Sequence, residues 1–154
     1  MRYEVMRLLL FVSLVFALVT AGCESDPSPG GETRPLTRDQ IVRLLEEQGV
    51  AEIYVYRSKA HGDIGTELVR KLTMKEQHDV VLQAIKTGEQ IPGVLDTRVP
   101  DYDFVIKGKN NDSMSFHFWL RPDAEQGMWV SVRNTGVGYT LSKSLTQQLI
   151  EYVK

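Results

Sequence analysis

Three histidines, one cysteine and a short run of aspartates are the residues of this 154-residue chain best placed to do chemistry. His61, His78 and His117 form no i, i+4 pair, the spacing that puts two metal ligands on one helix face. His61 and Asp63 could share a metal only with distant ligands, so no metal site is expected. Asp96, Asp101 and Asp103 form a local acidic cluster, and paired carboxylates act as acid and base when burial separates their pKa values. With His117, Asp101 and Asp103 would supply the acid–base set of a hydrolase. They stand in a proline-bounded segment before a strand, where turn-forming and capping roles are commoner. No G-x-S-x-G element and no phosphate-binding P-loop occur. The expectation is a chain without catalytic activity and without a cofactor.

The single cysteine, Cys23, excludes an internal disulfide and a Cys-cluster zinc site. Arg2 and Arg7 precede an uncharged run, LLLFVSLVFALVT from Leu8 to Thr20, which Ala21 and Gly22 follow. Charged head, short apolar run and small residues describe a secretory signal peptide. The run is short of the roughly 20 apolar residues that span a bilayer. The small pair before the cysteine resembles the lipobox of bacterial lipoproteins, with Thr20 where leucine is usual. That resemblance implies cleavage before Cys23 and a diacylglycerol thioether on its sulfur. Two acyl chains hold a protein on a membrane lastingly, where one holds it only marginally. The expected organisation is a signal peptide over residues 1–22, a lipidated cysteine and flexible linker over 23–36, and one folded domain over 37–154. The linker, ESDPSPGGETRPL, shows no apolar periodicity. The expected location is the extracytoplasmic face of the cell membrane, with the membrane as partner through Cys23.

With 18 basic and 20 acidic residues, the chain lacks the positive field on which nucleic-acid binding relies. The domain begins with Thr37-x-x-Gln40, a capping box that opens a helix carrying Ile41, Leu44 and Leu45 on one face. Thr73-x-x-Glu76 and Ser144-x-x-Gln147 read as two further boxes. Met74, Val81, Ala84 and Ile85 would form the inner face of the second helix, with His78 on its solvated side. Leu145, Leu149, Ile150 and Val153 would form that of the third. Strands are expected at Ile53–Arg57, Tyr102–Lys107, Ser113–Leu120, Met128–Arg133 and Tyr139–Leu141. Tight turns are expected at GKNND (Gly108–Asp112) and NTGVG (Asn134–Gly138). The fold class is α+β, a small antiparallel sheet of about four to five strands with helices packed mainly on one face.

The ordered motifs Gly93-Val-Leu-Asp96, Pro100-Asp-Tyr-Asp103, His117-Phe-Trp-Leu120 and Thr135-Gly-Val-Gly-Tyr-Thr-Leu-Ser142, with the Gly62-Asp-Ile-Gly65 loop, resemble the YhfM-like domain of lipoproteins from spore-forming Gram-positive bacteria. The resemblance implies a membrane-anchored extracytoplasmic α+β domain and carries no functional residues with it.

Strand parity supplies the remaining clue. Phe104, Ile106, Met114, Phe116, Phe118, Leu120, Met128 and Val130 group on one face by alternation, and His117, Trp119, Trp129 and Arg133 on the other. If the first face meets the helices, the second is a binding surface, since Trp and Arg are enriched at hot spots. If the Arg38–Gln48 helix or the Gln90–Asp101 loop covers it, both tryptophans are core. The functional expectation is a lipid-anchored binding or interaction module with an envelope protein or cell-wall ligand as partner. A cell-envelope small-ligand or cell-wall sensor and a hydrolase using Asp101, Asp103 and His117 are the alternatives.

Overall fold

The computed structural model describes residues 35–154. Cys23, the expected signal peptide and most of the expected linker lie outside them. In chain order the elements are α1 (Arg38–Gln48), β1 (Val50–Arg57), β2 (Glu67–Leu72), α2 (Lys75–Thr87), β3 (Glu89–Gln90), β4 (Tyr102–Gly108), β5 (Ser113–Trp119), β6 (Met128–Ser131), β7 (Asn134–Thr140) and α3 (Lys143–Val153).

The seven strands form one sheet in the order β2-β1-β4-β5-β6-β7-β3, every neighbouring pair antiparallel. This corrects the expected sheet of about four to five strands. Two strands escape a reading by alternation. In β2 only Leu72 is buried, because the strand is an edge whose Glu67, Arg70 and Lys71 stand in water. Charge on an edge blocks further pairing, and it also hides the apolar period. β3 is two exposed residues that pair with Tyr139 and Thr140. NTGVG is strand rather than turn. Gly138 sits inside β7 because a Cβ there would come within 2.9 Å of Leu95 Cδ1, so the glycine yields room to a covering loop.

The helices begin where side chains can satisfy free amides. At α1 the box forms as expected: Thr37 Oγ1 accepts from Gln40 N at 3.3 Å and Gln40 Oε1 accepts from Thr37 N at 2.9 Å. The other two boxes do not form where they are expected. Met74, not Thr73, is the N-cap of α2, with Gln77 Oε1 accepting from its amide. Ser142, not Ser144, caps α3 by accepting from Leu145 N. Met74 is exposed, whereas His78 is buried, its Nε2 2.9 Å from Leu72 O.

All three helices share one core with one face of the sheet. Ile41 and Leu45 of α1, Val81, Ala84 and Ile85 of α2, and Leu149, Ile150 and Val153 of α3 pack with Ile53, Val55, Phe104, Ile106, Phe116, Phe118 and Trp129. The rings interlock: Phe104 and Phe118 lie 4.4 Å apart, and Trp129 meets Phe116 edge-on and stacks on Tyr139 at 4.3 Å. Burying each large side chain contributes roughly 1.5–3 kcal/mol.

Candidate functional site

Across paired strands, directly opposed residues share a face. Phe118 opposes Trp129 and Phe116 opposes Ser131, while His117 opposes Val130. Trp129 therefore belongs to the helix-side core, and the sequence-based grouping of Trp129 with His117 is corrected. Parity within a strand is legible, but parity between strands is set by the connection, here Leu120–Gly127. Of the four residues expected on a binding face, Trp129 and His117 are wholly buried and Trp119 is buried at 7% exposure. Arg133 alone is exposed, in the β6–β7 turn. An open face of these four residues does not exist.

The sheet face away from the helices is instead half covered by two loops. Over β5 lies the loop from Ser58 to Thr66, and beside it the connection from Ile91 to Asp101. Asp103 and His117, opposite one another on β4 and β5, lie beneath the first. His117 Nδ1 is 2.7 Å from Asp103 Oδ1. Gly62 N donates to His117 Nε2 at 2.9 Å, and Gly65 N donates to Asp103 Oδ2 at 2.6 Å. A backbone N–H can only donate, so Nε2 is the lone-pair nitrogen and the ring proton sits on Nδ1, facing the carboxylate. Both side chains are fully buried. Trp119 closes the end of the cluster: its Nε1 donates to Arg98 O at 2.8 Å, and its ring faces His61 at 6.0 Å and His117 at 6.5 Å.

The same tautomer and carboxylate contact occur in nucleophile-activating His–Asp pairs, where the Nε2 lone pair takes a proton from serine or cysteine. Here that lone pair is already bonded to the Gly62 amide. Asp101 is also occupied, accepting from Leu120 N at 3.0 Å and pairing with Arg98 at 2.8 Å. Asp96 stands apart, exposed in the Ile91–Asp101 connection. Among the described residues no group of three or more His, Cys, Asp or Glu could hold a metal ion. The clefts lie elsewhere. One of about 470 Å³ is lined by Pro122, Gln147, Ile150 and Lys154, one of about 440 Å³ by Leu36, Arg38, Gln90, Asn134, Val137 and Tyr139, and one of about 240 Å³ lies between α1 and α2.

The other half of that sheet face, over β2, β1, β4 and the Ser113–Ser115 end of β5, is open. Its residues fall into cross-strand rows: Lys71–Tyr54–Val105–Ser115, and Glu52–Lys107–Ser113. Tyr54 and Tyr56 lie with near-parallel rings 6.5 Å apart. Lys107 Nζ stands 4.8 Å and Lys71 Nζ 5.2 Å from the Tyr54 ring centre, a cation–π arrangement. Tyr54 Oη donates to Glu52 at 2.5 Å, and Lys71 bonds the same carboxylate. The Lys71 contact, then that of Tyr54, holds the Glu52 carboxyl below its ordinary range, and Glu52 holds the Lys71 ammonium above its own. Sequence alternation in IYVYR marks both tyrosines, but Lys71 sits on a strand the sequence hides.

An antiparallel sheet with helices on one face defines a fold shared with a thioesterase-like protein from Clostridium sporogenes ATCC 15579. That crystal structure is 12% identical, with 67% of this chain and 93% of that chain covered at a TM-score of 0.50. At this identity the likeness concerns the fold. The family model of the YhfM protein matches residues 47–154, and the chain belongs to that family. No curated protein matches the chain.

Proposed function

We propose that this chain is a lipid-anchored, extracytoplasmic binding module without catalytic activity. The observation that carries the non-catalytic part is the hydrogen bonding of the Asp103–His117 pair. Its base nitrogen and its outer carboxylate oxygen are both occupied by backbone amides of the chain's own loop. The pair works as a latch that holds the Ser58–Thr66 loop on the sheet. The anchoring part rests on the apolar run and on Ala21-Gly22-Cys23; among the described residues, no helix is long and apolar enough to cross a membrane. The open Tyr54 face is a surface on which a module of this kind can bind.

Two experiments test the reading. Purified protein should hydrolyse neither an acyl thioester nor a p-nitrophenyl ester faster than the His117→Asn variant does. Turnover that the variant abolishes while it keeps its fold would identify an enzyme. Cys23→Ala should leave the protein unlabelled by a clickable fatty acid and either released or present as uncleaved precursor. Labelling and processing like those of the parent would remove the anchor.

A further inference from the structure

The open half of the sheet face is a feature for which the fold itself has no use. Its two tyrosines are half-buried with near-parallel rings, so each keeps part of its surface in solvent. Two hydroxyls stand nearby, Ser115 in the Tyr54 row and Ser113 in the Glu52–Lys107 row. Tyrosine combines a rigid apolar face with a polar tip and is enriched where surfaces bind. The charge on this patch has one sign in excess. Glu52 is the single carboxylate of the two open rows and is already held by Lys71 and Tyr54. Lys107 shares its row, and its ammonium rests over the Tyr54 ring. The described residues as a whole carry slightly more acid than base, so this excess of positive charge is local.

We propose that Tyr54, Tyr56, Lys71 and Lys107 form a docking surface for an anionic glycan, a polymer of sugars bearing carboxylate or phosphate groups. The proposal rests on the binding-module reading and names its partner. Sugar rings present C–H faces that stack on tyrosine flanks, and Ser113 and Ser115 can exchange hydrogen bonds with sugar hydroxyls. The Lys107 ammonium meets an anion directly, and that of Lys71, on the other neighbouring strand about Tyr54, adds its charge while it bonds Glu52. A neutral apolar partner would desolvate the Lys107 ammonium with only the Tyr54 ring to compensate it. The strands lie roughly 5 Å apart, so the four from β2 to β5 give a floor of about 15 Å for successive sugars.

The full-length chain in detergent is tested against immobilised polygalacturonate, with dextran as the uncharged glycan and poly-L-glutamate as the polyanion without sugar. Polygalacturonate should bind, with affinity that falls as salt rises, and the other two should bind at least about tenfold more weakly. The double variant Lys71→Gln/Lys107→Gln should weaken binding about tenfold, and Tyr54→Ser by a similar factor. These substitutions lie on the open face and leave the helix-side core intact. No binding to polygalacturonate, equal binding to poly-L-glutamate, or unchanged affinity in both variants overturns the proposal. A photo-crosslinker at Ser115 in intact cells separates this failure from failure of the parent reading. A discrete protein adduct there, without glycan binding, removes the glycan and keeps the module. No adduct at Ser115 or at the exposed Val94 removes both.

Discussion

Gly65→Ala is expected to cost the domain about 3 kcal/mol or more, one of the larger single losses available to it. A Cβ at this position would lie 1.9 Å from Arg57 O and 2.9 Å from Arg57 C, both backbone atoms. A flexible side chain could swing away from such a clash, but the backbone at the end of β1 can move only by breaking its pairing with β4. Relief must come from the loop, which then lifts and takes the Gly65 amide off Asp103. A buried carboxylate loses a hydrogen-bond donor, and the overlap is exchanged for an unsatisfied charge. Urea unfolding checks the size of the effect. Gly62→Ala, at φ +83 with open space around its Cβ, should cost only about 1 kcal/mol from the left-handed backbone. Equal losses in the two variants would mean that the loop is not fixed at Gly65.

The second large effect belongs to the latch itself. Asp103→Ala strands the His117 Nδ1 proton and the Gly65 amide, and His117→Ala strands a buried carboxylate. Removing one member of a buried pair costs about 3–5 kcal/mol. Removing both should cost less than the sum, with a coupling of about 1–3 kcal/mol in a double-mutant cycle. Additive losses would show that the two side chains do not act as one unit.

How much of this was legible in the residues varies with the physics that fixes each feature. Local hydrogen bonding is legible: Thr37 and Gln40 cap a helix through contacts three residues apart, and the alternation of Phe116 and Phe118 with His117 places them on opposite faces. Gly108–Asp112 turns as its composition requires, with Asn111 at φ +70. What pairs distant segments is not legible. Alternation alone puts Trp129 on the wrong face, because a connection of irregular length decides the register between β5 and β6. Glu67–Leu72 carries the charges of an edge, so its one buried residue gives no period. His78 follows a helix start displaced by one residue and turns inward to the Leu72 carbonyl. Asp101, Asp103 and His117 stand out in the sequence as a group, and the structure pairs Asp103 with His117. That the loop's amides occupy the pair follows from the packing of a segment 38 to 55 residues away, which no local pattern carries.

The strand order carries a consequence for how the chain reaches this state. β4, β5, β6 and β7 are consecutive in sequence and adjacent in the sheet, so each pairing closes only a short loop. β1 must instead find β4 across the whole of β2, α2 and β3, a closure whose entropy is lost before its contacts form. The meander about Phe104, Phe116 and Phe118 is thus the natural folding nucleus, and the β1–β2 hairpin the late arrival. Truncations in the meander should slow refolding, whereas truncation of Ile53 or Leu72 should chiefly hasten unfolding. The open tyrosine face, which needs β2, β1 and β4 together, would then be completed at the last step of folding.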